Sequence, residues 1–400
     1  MSRIKDLYLS HVGQTSDMSM LLEVSHAKGA YIFDTEGKRY LDMNSGISVS
    51  SLGHCHPSVT RAVKEQVDSY MHTMVYGEHV QKPQVAFAHR LTTTMKGEFD
   101  CVYYLSAGTE ATELGIKLAK KYTGRFEIVA MRSSYHGSTY AAESLRSDSD
   151  YTRAFMPLMP DVRHINFNVQ KDLSLITHKT AGVLCEVVQG EAGVIKAQKV
   201  YLEDLRKRCD EVGAVLIFDE IQSGFGRTGH LFAHEWYGVY PDVVLIGKAM
   251  GGGMPISGLV TSHEILGSII RNPALGHIST FGGHPVCTAA ASAALDVLLD
   301  ERLMDEVKEK ENLIVKKLSQ HEIIKEVRSA GLMMAVEPVR RKYLKHIVSK
   351  ALDLGVLVDW FLFNNRSFRL APPLVTTQEQ LTDGCDILLA AMDHAKDLYS

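Results

Sequence analysis

Short apolar runs recur through the middle of this 400-residue chain, at 101–105, 127–131, 182–188, 214–218, 243–246 and 258–261. Stretches with helical spacing, such as 109–122 and 201–212, lie between them. This alternation constrains the fold more than any other feature. Buried strands separated by helices predict an α/β class, a mostly parallel sheet covered by helices on both faces. Open sheets of that kind keep their ligands beyond the carboxyl ends of their strands. Chemistry is therefore sought in the residues that end each run.

Residues 243–258 read VVLIGKAMGGGMPISG. The run stops at Gly247, Lys248 follows, and Gly251, Gly252 and Gly253 leave the neighbouring backbone open to close approach. A surface lysine in a flexible turn would look the same. A lysine at a buried strand end also has a chemical use, imine formation with an aldehyde. Asp219 ends the run 214–218 in a similar way, and a buried carboxylate needs a cationic partner. In a parallel sheet the two side chains open on one side. They form either a plain salt bridge or two grips on a pyridine cofactor. In the second case the carboxylate keeps the ring nitrogen protonated and the lysine holds the aldehyde as a Schiff base. Such a cofactor carries a phosphate as well. Ser106-Ala107-Gly108-Thr109 follows the strand 101–105 and opens a helix, where free N–H groups suit a phosphate. A helix start with nothing bound is the plainer alternative.

Length alone favours two or more domains. The pattern suggests a large α/β domain at 60–295, with 1–59 and 296–400 forming a smaller α+β unit. In the outer segments, strands are expected at 30–34 and 39–42 around a Glu36-Gly37 turn, and near 332–336, 356–358 and 367–371. Helices are expected at 59–71, through 289–318, at 343–354 and from Glu379. A net charge of −4 gives no general attraction to nucleic acid or acidic lipid. The cysteines Cys55, Cys101, Cys185, Cys209, Cys287 and Cys385 include no CxxC pair, which suggests a reduced compartment without a disulfide or zinc frame. His54-Cys55-His56 lies between Gly53 and Pro57 with no second cluster to complete a site, so no metal is expected. No run approaches membrane-spanning length and the first residues lack a signal-like apolar core, so a cytoplasmic protein without a membrane partner is expected.

Several separated motifs then agree in order: GAYIFDTEGKRYLD at 29–42, GHCHP at 53–57, SAGTEATE at 106–113, YHG at 135–137, EVVQGEAGV at 186–194, FDEIQSGFGRTG at 218–229, GKAMGGGMP at 247–255, STFGGHP at 279–285 and RLAPPL at 369–374. Over nearly its whole length the chain resembles the class III pyridoxal-phosphate aminotransferases of fold type I. The resemblance implies a pyridoxal 5'-phosphate cofactor, with Lys248 as the Schiff-base lysine and general acid/base and Asp219 as partner of the pyridine nitrogen. It implies Gln222 at the ring's phenolic oxygen, Tyr135 against the ring face, and Gly108 and Thr109 around the phosphate. Thr280 would reach the phosphate in a neighbouring subunit, with Ser279 beside it touching substrate, which implies a homodimer with shared sites. Arg369 would fork onto a substrate carboxylate, and Glu191 would pair with that arginine while a substrate enters by its distal amine.

Some positions depart from the pattern. Ser106-Ala107-Gly108 stands where the family usually has Asn-Ser-Gly, His284 replaces an asparagine, and Ser138 follows the YHG motif where ornithine and acetylornithine enzymes carry arginine. The expected reaction is a ping-pong transamination from an amino acid or ω-amine, ornithine- or acetylornithine-like or related, to a 2-oxo acid. An aminomutase of the glutamate-semialdehyde kind, or a racemase, would use the same fold. A nicotinamide-dependent dehydrogenase built on the GxGxxG match at 224–229 is a distant rival, because that match lacks a following helical pattern.

Overall fold

The computed structural model describes residues 3–17 and 19–399. Positions 1, 2, 18 and 400 of the expected outer segments lie outside the described residues. The six apolar runs and one further strand, Val162–Ile165, form one seven-stranded sheet, in the spatial order Cys101–Leu105, Ser257–Thr261, Val243–Ile246, Val215–Asp219, Thr180–Glu186, Glu127–Met131, Val162–Ile165. Strand Ser257–Thr261 is antiparallel to both neighbours, and the remaining pairings are parallel. The reversal has a local cause. Only the glycine loop and a 3-10 turn at Lys248–Gly251 separate this strand from Val243–Ile246, and a parallel return needs a longer crossover.

The strand Val243–Ile246 is buried throughout. Each such side chain contributes roughly 1.5–3 kcal/mol by leaving water. Helix Gly108–Thr123 follows the first strand and buries Ala111, Leu114, Leu118 and Ala119. Glu110 caps its start by accepting from Ser106 N at 2.8 Å, and Gly124, at φ +69°, ends it.

Helix Lys82–Thr94 is not evident from the sequence, because three threonines in a row read against a helix. Their hydroxyls reach back instead: Thr92 to Ala88 O, Thr93 to His89 O and Thr94 to Arg90 O, at 2.7–2.9 Å. The expected helical stretch 289–318 is divided into helices Pro285–Asp300 and Val307–Leu318. The chain turns between them through Arg302 in a left-handed conformation (φ +54°) and a 3-10 segment, Leu303–Glu306.

The two ends of the chain meet. Strand Val356–Leu357 runs parallel to Leu41 and Asp42 in a four-stranded sheet with Val24–Lys28, Tyr31–Asp34 and Arg39–Asp42. A second four-stranded sheet holds Ile324–Ala330, Met333–Pro338, Phe368–Leu370 and Asp359–Trp360. Residues 224–229 run as turns and not as strand, loop and helix. Within them Arg227 is fully buried and donates to Leu332 O, Pro372 O and Ser51 Oγ. The glycine motif thus joins early and late parts of the chain, which is a structural use.

Candidate active site

Lys248 and Asp219 line one cavity of about 470 Å³. The sheet register explains why. Asp219 pairs with Leu245, and Lys248 comes three positions later in the chain, just past the strand end. The lysine backbone sits at φ +48°. For a residue with a side chain that conformation costs about 1–3 kcal/mol, and such strain concentrates at functional sites. Burial holds the Lys248 amine below the ordinary lysine range, against the upward pull of the Glu191 carboxylate. A lowered lysine offers more of the neutral, nucleophilic amine.

Asp219 finds its partner in His136, a residue the sequence reading did not single out. His136 Nδ1 lies 2.7 Å from Asp219 Oδ2, and both side chains are buried. Asp219 Oδ1 accepts from Ile221 N at 3.0 Å. These contacts use part of the carboxylate's acceptor capacity. His136 Nε2 is buried without a hydrogen-bond partner among the described residues. The signal was present in the sequence: a buried strand-end carboxylate needs a cation or donor, and a histidine stands next to Tyr135.

Glu186, within the EVVQGEAGV motif, is a further carboxylate of this wall. It ends the strand beside Asp219, in register with it, and also lines the cavity. Burial pushes its carboxyl up to about 7, against the lowering effect of His136. Tyr135 N and Gly190 N donate to its two oxygens at 3.1 and 2.8 Å.

Gly108, Thr109, Tyr135 and Gln222 all line the same cavity. Gly108 and Thr109 form the first turn of helix Gly108–Thr123, with the positive end of the helix dipole behind them. The Thr109 hydroxyl lies 2.6 Å from the Thr139 hydroxyl. Gly137 turns over it at φ +124°, where an added Cβ would stand 2.3 Å from Thr109 Oγ1. A Cβ at Gly190 would meet Gln222 Oε1 at 2.0 Å, so only glycine there leaves Gln222 its place.

Glu191 lines the cavity too, and it holds Arg369. Arg369 Nη2 donates to Glu191 Oε1 at 2.5 Å, and Leu362 N donates to Glu191 Oε2 at 2.9 Å. The guanidinium is 4.7 Å from the Phe361 ring centre. Its Nε and Nη1 are buried with no partner among the described residues. Unused donors beside a small-molecule cavity suit an anionic ligand.

Ser279 and Thr280 lie elsewhere. Ser279 lines a separate hollow with Tyr76, Gln84 and Tyr104, and Thr280 is exposed, its carbonyl 2.9 Å from His72 Nε2. The fold of one chain does not bring them to Lys248. His54, from the discarded metal reading, lies 2.9 Å from Asp42 Oδ2. Among the described residues no group of three or more His, Cys, Asp or Glu side chains is placed to hold a metal ion, and no helix is long and apolar enough to cross a membrane.

The family described as "Aminotransferase class-III" matches residues 12–392. The chain is 37% identical over 377 residues to the acetylornithine aminotransferase of Methanocaldococcus jannaschii, covering 92% of this chain and 91% of that one. It is 39% identical over 358 residues to the acetylornithine aminotransferase of Methanopyrus kandleri, covering 88% and 90%. The ornithine aminotransferase of Toxoplasma gondii superposes with a TM-score of 0.91 at 28% identity, over 98% of this chain and 94% of that one.

Proposed function

The chain belongs to the class-III aminotransferases, and from that premise we propose which of its residues carry the reaction and how. It is a pyridoxal-phosphate-dependent transaminase with a fold type I architecture. When bound, pyridoxal phosphate supplies an aldehyde to receive the amino group and a ring that withdraws electrons from the reacting carbon.

The residues present fit that cofactor. The cavity has the size of a small-molecule site. A helix N-terminus with Gly108 and Thr109 would hold the phosphate. Asp219 retains acceptor capacity for a ring N–H, and His136 fixes the orientation of that carboxylate. Gln222 and Tyr135 would set the plane of the ring. Lys248 Nζ would take the aldehyde, then hold and move the proton of the carbon that loses its nitrogen. Arg369 would bind a substrate carboxylate. Glu191 would cover that arginine when a substrate presents an amine instead. The observation that carries this reading is the meeting of Lys248 and Asp219 in one cavity, from adjacent strands in register.

The donor we propose is an ornithine- or acetylornithine-like amino acid, on the strength of relatives bearing those names, with a 2-oxo acid as acceptor in a ping-pong cycle. We further propose a homodimer in which Thr280 and Ser279 complete the partner's site. Exposed apolar residues beside them or beside their contacts, Met71, Val85, Ile278 and Phe281, support an interface there. The division into a domain at 60–295 and a smaller one from 1–59 and 296–400 is likewise our reading, supported by the pairing of 356–357 with 41–42. Unpaired cysteines support a reducing, cytoplasmic setting.

Borohydride treatment of the holoenzyme followed by peptide mass mapping tests the core of the proposal. A pyridoxyl group on Lys248 is expected, together with turnover of an amino donor against 2-oxoglutarate or pyruvate. Label on another lysine, or turnover without an added keto acid, would overturn it. The second result would favour a mutase or racemase.

A further inference from the structure

Arg146 is a buried cation that the reaction scheme above does not use. Its side chain is 8% exposed, like that of Glu143 beside it. The guanidinium lies 5.2 Å from the ring centre of Tyr135, 5.0 Å from that of Tyr151 and 5.7 Å from that of Phe363. Arg146 Nη2 is 3.4 Å from Ser138 Oγ, and that hydroxyl is 3.2 Å from Tyr135 OH. Tyr135 and Ser138 both line the cavity that holds Lys248.

The hydrogen bonding of this guanidinium is incomplete. Nη1 is 3.2 Å from Glu143 Oε1, yet that oxygen makes no hydrogen bond and Arg146 Nε is buried without a partner. An arginine has five N–H donors, and burying them unused is costly. Aromatic faces compensate the charge but accept few hydrogen bonds. A carboxylate arriving from the cavity would satisfy the open donors in a fork geometry.

We propose that Arg146 is a specificity residue, whose guanidinium binds the second carboxylate of a dicarboxylic substrate or acceptor while Arg369 binds the first. This rests on the transaminase reading. The loop that carries Phe361 and Phe363 links the two positions. Phe361 lies against Arg369 and Phe363 against Arg146, while Phe363 N donates to Glu191 O at 3.1 Å.

The test compares the holoenzyme with Arg146→Met and Arg146→Lys. The first measurement is the ratio of kcat/KM for 2-oxoglutarate to that for pyruvate, with one donor. The second is calorimetric binding of glutarate and of butyrate, neither of which can react. In Arg146→Met the diacid preference should fall about tenfold to a hundredfold, with a matching loss of glutarate affinity relative to butyrate. Arg146→Lys keeps the charge without the fork and should fall by a smaller factor. An unchanged acceptor ratio and unchanged glutarate affinity, even with a lowered Tm, would reduce Arg146 to a packing residue and overturn the proposal. If neither acceptor turns over in the unmutated enzyme, the transaminase reading fails, and glutarate against butyrate still decides the role of Arg146.

Discussion

Two buried guanidiniums stand behind the wall of the same cavity, Arg369 against Glu191 and Arg146 against Tyr135 and Ser138, and are held in different ways. Arg369 sits within a strand, Phe368–Leu370, and closes on Glu191 at 2.5 Å. The other Glu191 oxygen is fixed by a backbone N–H, so both members of the pair have set positions. Arg146 follows a short helix, Tyr140–Ser144, and approaches Glu143 without a hydrogen bond. A strand-borne arginine with a well-bonded lid suits the carboxylate that every substrate brings. A looser arginine in an aromatic cage suits a group that only some substrates bring.

Lys248→Ala should lower turnover by about a thousandfold or more, because the group that moves the proton is gone. Both arginines remain, so glutarate should still bind the variant by calorimetry. Retained turnover would remove Lys248 from the chemistry. Lost glutarate binding would mean that the carboxylate sites do not exist independently of it.

Asp219→Asn should cost about a hundredfold in kcat, the usual scale for losing one placed electrostatic partner. Its effect should be the same for pyruvate and 2-oxoglutarate, because it acts on the cofactor ring and not on either carboxylate. A change in acceptor ratio would connect Asp219 to substrate choice and blur the contrast between the arginines.

The double variant Arg369→Met with Glu191→Gln avoids leaving an unpaired buried charge. It should weaken both 2-oxo acids about tenfold to a hundredfold in kcat/KM. Here the contrast with Arg146 is sharpest: this variant should lose both acceptors together, whereas Arg146→Met should lose the diacid preferentially. If the Arg369 variant loses only the diacid, the two roles are reversed.

The two arginines also differ in how legible they were. Lys248 and Asp219 could be found from the residues alone, since each follows or ends a buried apolar run and such ends gather on one side of a parallel sheet. Arg369 and Glu191 were identified only through the family resemblance. They are 178 residues apart in sequence, and no local period links positions so distant. Arg146 had no signal, because its setting arises from Tyr135, Tyr151 and Phe363 meeting in space. His136 had a partial one in the unpaired need of Asp219, 83 residues away. The sheet followed its apolar pattern closely. Strand Val162–Ile165 escaped because it is an edge strand with exposed Arg163 and half-buried His164. The antiparallel Ser257–Thr261 was legible as a strand, but its direction depended on the short connection before it.

Glu186 supplies the remaining test, with the smallest expected effect on acceptor choice. It shows what a carboxylate does at the same wall without an arginine. Glu191 and Glu143 each face a guanidinium; Glu186 makes no ion pair to a lysine or arginine among the described residues, and burial raises its carboxyl to about 7. In the unfolded chain the same group ionises near the ordinary glutamate value of about 4.3. A raised folded value means a contribution to stability that is present in full below the unfolded value and is lost as pH rises through about 7. Glutamine cannot ionise, so Glu186→Gln should escape that loss. The difference in thermal midpoint between variant and unmutated protein should therefore move in favour of glutamine from about pH 4.3 to about 7 and level off above, by an amount worth up to about 4 kcal/mol. Comparing differences cancels the other titrations and any constant cost of a lost N–H contact at Tyr135 or Gly190. A flat difference across that window would mean that burial does not hold Glu186 neutral, and that a carboxylate at this wall does not need a guanidinium to ionise.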